Sequence, residues 1–251
     1  MLFRSNPLLG LLCSSEEGFV ESEIIYVLRK ASSIDVMGTY LEIFKSREDL
    51  RPQLMLEFGD RGCIQLMQLA HESLSSQDEN LVNAAIVTLG KFGDAESLPL
   101  LLTTLASSKN ANLSATILQN LGSYEASLVE QSLLEGLHSP VARIRANAVE
   151  ALMECNSVSS IKHIENLLTD DNNRVRANAA LACFRLGHTK AIQVLLDMSQ
   201  SPSKWMRLSC IWALNATSTD QARETILGML HDPDYDVVMA AAKCSSNLMI
   251  L

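Results

Sequence analysis

The sequence predicts an all-α fold: an α-solenoid, or superhelix, of stacked antiparallel helical hairpins with a period of about 31 residues. Three observations predict it. Seven segments restart at Leu50, Leu81, Leu113, Ile144, Val175, Met206 and Val237, at intervals of 31 or 32 residues. From Arg143 the copies read RIRANAVEAL, RVRANAALAC, WMRLSCIWAL and DVVMAAAKCS, in register without insertions. The punctuation Ser139-Pro140, Asp170-Asp171, Ser201-Pro202 and Asp232-Pro233 recurs at the same period. A unit this short cannot bury its own apolar face and becomes stable only against its neighbours.

Asp170 to Gln200 displays one unit. Val175, Ala179, Cys183 and Leu186 recur at three- or four-residue steps and define a first helix. Gly187 and His188 interrupt it, and Thr189 is the expected N-cap of a second helix lined by Ile192, Leu195 and Met198. Between units, Asp or Ser is expected to cap the next helix, with Pro in its first turn. Ala146, Ala148, Ala177, Ala179, Ala180, Ala240 and Ala241 fall where first helices must approach closely.

Towards the N-terminus the pattern degenerates. Phe58-Gly59-Asp60 repeats the punctuation of Phe92-Gly93-Asp94, after a first helix about one turn shorter. Glu16 to Ala31 and Ile34 to Phe44 suggest a hairpin that caps the array. The expected organisation is therefore a capping segment over 1–45 and one continuous repeat array over 46–251. The last unit supplies a first helix from about Asp234 and then Leu248, Met249, Ile250 and Leu251, with no second helix. That edge is expected to meet further chain, a partner or a second copy.

Composition narrows the function. Hydrophobic residues make up 47% of the chain and aromatics only 5%, which suits thin layers of Ala and Leu. A net charge of -9 argues against nucleic acid, whose binding rests on Lys and Arg displacing counterions. No stretch reaches membrane-spanning length, and Leu8-Leu9-Gly10-Leu11-Leu12-Cys13 is too short for a signal and has Leu12 where a small residue would precede the cut. Cys13, Cys63, Cys155, Cys183, Cys210 and Cys244 form no Cys-x-x-Cys pair and read as small buried hydrophobes in a reducing, cytoplasmic setting.

The pattern Val/Ile-Arg-x-x-Ala, a Gly-containing turn and a Leu-rich second helix resembles HEAT repeats, in particular the short kind named after phycobilin lyases. Ile144-Arg145, Val175-Arg176, Met206-Arg207 and Leu81 to Asp94 carry the likeness, over residues 75 to 247 and more loosely over 16 to 74. The resemblance implies the fold; its members serve as scaffolds, adaptors, lyases and regulatory subunits. Lyases of this kind attach or detach bilin pigments. Related iron-dependent hydroxylases use paired His-Glu motifs from several repeats, whereas only His71-Glu72 occurs here and His138, His163, His188 and His231 stand singly. His138 and His231 occupy equivalent turns three periods apart, the pattern of a turn role. No catalytic residue, cofactor site or metal site is assigned, and no phosphate loop or nucleophile elbow is present.

What remains is surface. Arg145, Arg176 and Arg207 stack at one position on successive first helices and are expected to pair with Asp170, Asp171 and Asp232 as a structural ladder. Arg143 and Arg174 occupy a slot that becomes Trp205 and then Asp236, so it is variable and expected to be exposed. Trp205 is either a partner hot spot or packing across a repeat junction; Trp212, one heptad on, is expected to be structural. Lys162, Glu165, Asn166, Gln193, Asp197 and Glu224 form a mixed strip on the second helices, either a partner-binding surface or a solvated face. The reading is a protein-interaction scaffold or adaptor for a protein or peptide, with a phycobilin lyase-like protein as the alternative.

Overall fold

A computed structural model describes residues 35–61 and 67–248; all regular elements among them are helices. The capping segment Glu16 to Ala31, the Leu8 to Cys13 stretch, Cys63 and Met249 to Leu251 lie outside the described residues. The chain gathers into two compact units, Met1–Thr104 and Leu105–Leu251.

In the first unit lie α1 (Asp35–Ser46), α2 (Arg51–Arg61), α3 (Met67–Ser73), α4 (Glu79–Phe92) and the start of α5 (Ser97–Ser107). Helices α2 and α3 both pack on α4, burying Leu54 and Met55 with Leu81, Ile86 and Leu89. The Thr88 hydroxyl donates to the Met55 carbonyl at 2.8 Å and ties α4 to α2. The expected break at Phe58-Gly59-Asp60 is not one. Helix α2 runs through it to Arg61, and Gly59 instead lets α4 approach, since a Cβ there would lie 3.0 Å from the Thr88 Oγ1. Gly93, by contrast, ends α4 in the left-handed conformation at φ 61°.

The second unit alternates first helices α6 (Ala111–Asn120), α8 (Ala142–Glu154), α10 (Asn173–Arg185), α12 (Lys204–Thr217) and α14 (Tyr235–Leu248) with second helices. The latter are α7 (Ala126–Leu137), α9 (Ile161–Glu165, extended by a 3-10 turn to Thr169), α11 (Ile192–Ser199) and α13 (Asp220–Gly228). Each first helix packs on the next, and each second helix packs against the first helix of the following hairpin. Ala146, Ala148, Ala177, Ala179, Ala180 and Ala241 are buried at these contacts, while Ala240 is half-buried. Gly136 on α7 serves the same end, because a Cβ would lie 3.0 Å from both Ala148 Cβ and Leu118 Cδ1.

The turns explain where helices start. The side chains of Ser139, Asp170, Ser201 and Asp232 accept from the backbone N–H two residues on, at 3.2, 2.8, 3.2 and 2.9 Å. They shape the turn rather than cap the helix; the cap of α10 is Asn172, which accepts from the N–H groups of Arg174 and Val175. Pro140, Pro202 and Pro233 accordingly stand two residues before their helices begin, outside the first turn where they were expected. Thr189 opens a 3-10 turn over Thr189–Ala191, so α11 starts only at Ile192. Within hairpins, Asn156, Gly187 and Ser218, spaced like the repeats, all take positive φ (54°, 106° and 56°) and reverse the chain after the first helix.

Candidate functional site

The recurring geometry of the turns comes from arginine. Arg145 grips Asp170 with two parallel bonds (Nε to Oδ2 2.8 Å, Nη2 to Oδ1 2.9 Å), and its Nη1 donates to the carbonyls of Ser139 and Pro140. Arg207 reproduces this with Asp232 at 2.8 and 3.0 Å and the carbonyls of Ser201 and Pro202. Arg176 cannot, because the residue at the matching offset is Ser201; its fork turns back to the carbonyls of Asp170 and Thr169 at 2.8 and 3.3 Å. Asp171 is exposed and makes no ion pair among the described residues. Burial pushes the Asp170 and Asp232 carboxyls up, but the arginine hydrogen bond, the backbone N–H two residues on and the arginine charge together leave both below the usual range. The Asp232 hydrogen bond in turn raises Arg207.

A second polar system runs over the first helices. Arg143 donates to Asn112 Oδ1 at 2.9 Å, one repeat earlier. One layer on, Arg174 donates through Nη2 to Asn147 Oδ1 at 2.9 Å and to Glu150 at 3.0 Å. Asn147 and Asn178 are buried polar residues at one register whose amides donate back to the previous layer, to Ala115 O at 2.8 Å and Ala146 O at 3.2 Å. Asn178 also donates to Glu150 at 2.7 Å. The signal for this pair was visible as the repeated Ala-Asn-Ala of the copies at Ile144 and Val175, yet an Asn on a helix reads as a polar outer position until its neighbours are known.

Trp205, next in the Arg143 and Arg174 slot, is 60% exposed and has the Lys204 ammonium 5.1 Å from its ring centroid. Lys204 pairs with Asp236 at 2.9 Å and Asp234 at 3.4 Å, and its bond to Asp236 raises its pKa. Trp212 is not the structural residue its spacing suggested. It is 52% exposed, and with Glu150, Arg174, Ala177, Asn178 and Ser209 it lines a groove of about 220 Å³ across α8, α10 and α12. Glu154, further along α8, is raised by burial and by the nearby Glu150 charge.

The strip expected on the second helices divides. Lys162 and Asn166 are exposed on α9 and its 3-10 extension. Glu165 is half-buried with its Oε1 2.6 Å from His188 Nδ1, close but not aligned as a hydrogen bond. Gln193 donates to Asp197 at 2.9 Å along α11, and the two line a polar groove of about 590 Å³ with α13 and the turn at His231 and Asp232. Glu224 is exposed on α13 and does not line it.

Chemistry-bearing groups elsewhere are absorbed by structure. His71 Nε2 lies 3.0 Å from the Ser97 hydroxyl, which bonds Asp94 and is itself fully buried at the start of α5. His138 caps the end of α7, and His231 ends the 3-10 turn before Asp232. Cys183 and Cys210 are buried, and burial pushes both thiols up to about 12; Cys155 and Cys244 are only half-buried, less enclosed than expected. Among the described residues no cluster of His, Cys, Asp or Glu could hold a metal ion, and no helix is long and apolar enough to cross a membrane. The arrangement offers hydrogen bonds, two indole faces and fixed charges: the means of recognition.

Comparison with known proteins agrees on the fold. Residues 130–215 match the family model for HEAT repeats. No curated protein sequence matches the chain. Among solved structures, the complex of CpcE and CpcF of phycocyanin lyase from Nostoc sp. PCC7120 is similar with a TM-score of 0.59 and 16% identity, over 92% of this chain and 89% of that one. Human deoxyhypusine hydroxylase aligns with a TM-score of 0.42 and 15% identity, over 96% and 94% of the two chains. An importin beta aligns with a TM-score of 0.48 and 15% identity, over 91% of this chain and 36% of that one. At 16% identity the likeness to the phycocyanin lyase complex is one of fold, an all-α solenoid of HEAT-like hairpins.

Proposed function

We propose that this chain is a protein-interaction scaffold or adaptor that presents the faces of its stacked helices to a protein or peptide partner. One observation carries the reading: the adjoining helices α12 and α14 leave Trp205, Trp212, Tyr235 (73%) and Met239 (51%) exposed beside the half-buried Lys204 and the exposed Asp236. Large exposed aromatics edged by charges are what concentrates energy at interfaces. Arg143 on α8 and Arg174 on α10 carry the register of Trp205 back along the first helices, and Gln193 and Asp197 supply a polar strip on the second helices. Nucleic acid and membrane surfaces are poor partners for a chain of net charge -9, and free buried thiols suit a reducing compartment such as the cytoplasm.

The test is affinity capture from native extract with mass spectrometry, comparing wild type with Trp205→Ala and Arg174→Glu, each checked for an unchanged helical spectrum. A protein captured by wild type and lost in both variants supports the reading; capture unaffected by either removes this surface from it. The fold likeness to the phycocyanin lyase complex over most of both chains favours one second reading, a lyase-like protein acting on a chromophore-bearing partner. Visible absorbance that copurifies with the chain from a bilin-producing host would support it, and a colourless product would count against it.

A further inference from the structure

The first-helix network has a gap, and the repeat itself shows what fills it. In one layer, Asn147 Oδ1 accepts from the guanidinium of Arg174, which stands at the head of the next first helix. Asn178 is the same residue one repeat later. It is 2% exposed, and its amide nitrogen is committed to Ala146 O and Glu150. Its Oδ1 has no donor among the described residues, because the position matching Arg174 is Trp205, which points to solvent. The residue is buried, but this oxygen opens onto a groove, where it is an acceptor that a ligand can reach.

Asn178 lines the 220 Å³ groove beside Trp212, a space of about seven water volumes. On the opposite wall the Ser209 hydroxyl accepts from Asn173 Nδ2 at 2.6 Å, leaving its own proton without an acceptor among the described residues. The groove thus presents an acceptor, a donor and an indole face over the Ala177 floor. Charge selects between ligands. A cation would meet Arg174 in the wall, and the position matching Glu150 is Leu181, so no second carboxylate offsets its desolvation. An anion would face the Glu150 carboxylate and the lone pairs of Asn178. A neutral group with one N–H and one C=O satisfies both walls.

Resting on the scaffold reading above, we infer that this groove binds one peptide group of an extended partner segment, with an uncharged apolar side chain laid against Trp212. The peptide N–H donates to Asn178 Oδ1 and the carbonyl accepts from Ser209.

The probe is a phage-displayed heptapeptide library selected on the wild-type chain, with Trp212→Ala as counter-target. Selected sequences are expected to be uncharged and apolar at the anchoring position. Synthetic copies are expected to bind at least about tenfold more weakly to Trp212→Ala and about fivefold more weakly to Ser209→Ala, both variants keeping the wild-type helical spectrum. Glu79→Gln, at an exposed position of α4 outside every candidate surface, leaves affinity unchanged. Trp205→Arg supplies the missing guanidinium and blocks the site, so it weakens binding more than Trp205→Ala does. Enrichment of basic or acidic peptides overturns the inference, as do equal effects of the two Trp205 variants. Peptides that survive Trp212→Ala but are lost in Gln193→Ala also overturn it, while the scaffold reading stands on its second-helix groove. No enrichment at all removes the groove as a peptide site and leaves the scaffold reading to the capture experiment.

Discussion

The sharpest prediction concerns the rung that the arginine ladder lacks. Ser201→Asp should build it. Asp170 and Asp232 each bind an arginine 25 residues upstream through two bonds while accepting the backbone N–H two residues on. Ser201 already makes the backbone contact, from Ser203 at 3.2 Å, so the turn is shaped for a carboxylate. Two charge-assisted bonds contribute about 1.5–3 kcal/mol each in favourable cases. Against this stand the desolvation of the new carboxylate and the present bonds of Arg176 to the Asp170 and Thr169 carbonyls, also charge-assisted at about 1.5–3 kcal/mol each, part of which Nη1 can recover as Arg145 and Arg207 do. The net expectation is a gain of about 1 kcal/mol, or about 2–4 °C in Tm for a chain of this size. Urea and thermal denaturation of wild type, Ser201→Asp, Arg176→Ala and the double variant form a cycle that isolates the pair. A neutral or destabilising Ser201→Asp, or a gain that persists without Arg176, would refute the reasoning.

Other consequences follow from the same geometry. Because Asp170 and Asp232 titrate below their unfolded value of about 3.9, the stability they contribute is present above that pH and is lost as pH falls through the folded values. Acid titration of unfolding should therefore show a drop below about pH 4 that is shallower in Asp170→Asn/Asp232→Asn. Ser218→Gly should stabilise by up to about 1 kcal/mol in urea denaturation, since Ser218 holds φ 56° where Gly187 stands in the preceding repeat. Gly136→Ala should cost about 1–3 kcal/mol, because its Cβ meets Ala148 and Leu118 at 3.0 Å within the stack. Alkylation of the native chain at pH 8, followed by peptide mass mapping, should spare Cys183 and Cys210 until the chain unfolds, as both thiols are held near 12.

Much of the architecture was legible because it repeats. The apolar stripe of α10, the alanines between first helices and the in-register Ser and Asp turns can all be read by laying one copy under another. The arginine positions were legible too, though not the division of labour between Asp170 and Ser201, which depends on an offset of 25 residues that crosses a hairpin. Gly59 misled for a physical reason: glycine serves both to end a helix and to let a neighbour approach, and only the position of Thr88 distinguishes the two. Trp212 lies one heptad beyond Trp205, a spacing that suggested a structural place, yet it is exposed although Leu181 at the same register one repeat earlier is buried. Exposure at that register is decided by the next layer, where position-by-position spacing carries no information. The Asn178 acceptor is a difference between two nearly identical repeats, and it becomes visible only when each hydrogen bond is traced to its partner.

The turn at Asp170 has a further consequence for how such a chain can change in length. Its carboxylate binds Arg145 from the preceding hairpin and the Asn172 N–H of its own turn, while its carbonyl binds Arg176 of the following one. One residue is thus shared by two hairpins, and residues inserted beside it would break three attachments at once. The turn at Gly187 and His188 is anchored to its own hairpin by backbone bonds to Cys183 and Phe184, so additions there disturb one unit alone. Growth or shrinkage by whole copies preserves every attachment, whereas a few residues added between copies preserve none. The array is in this sense modular in units of a repeat and intolerant of fractions of one, and variation among chains built on this plan should gather in the turns inside hairpins.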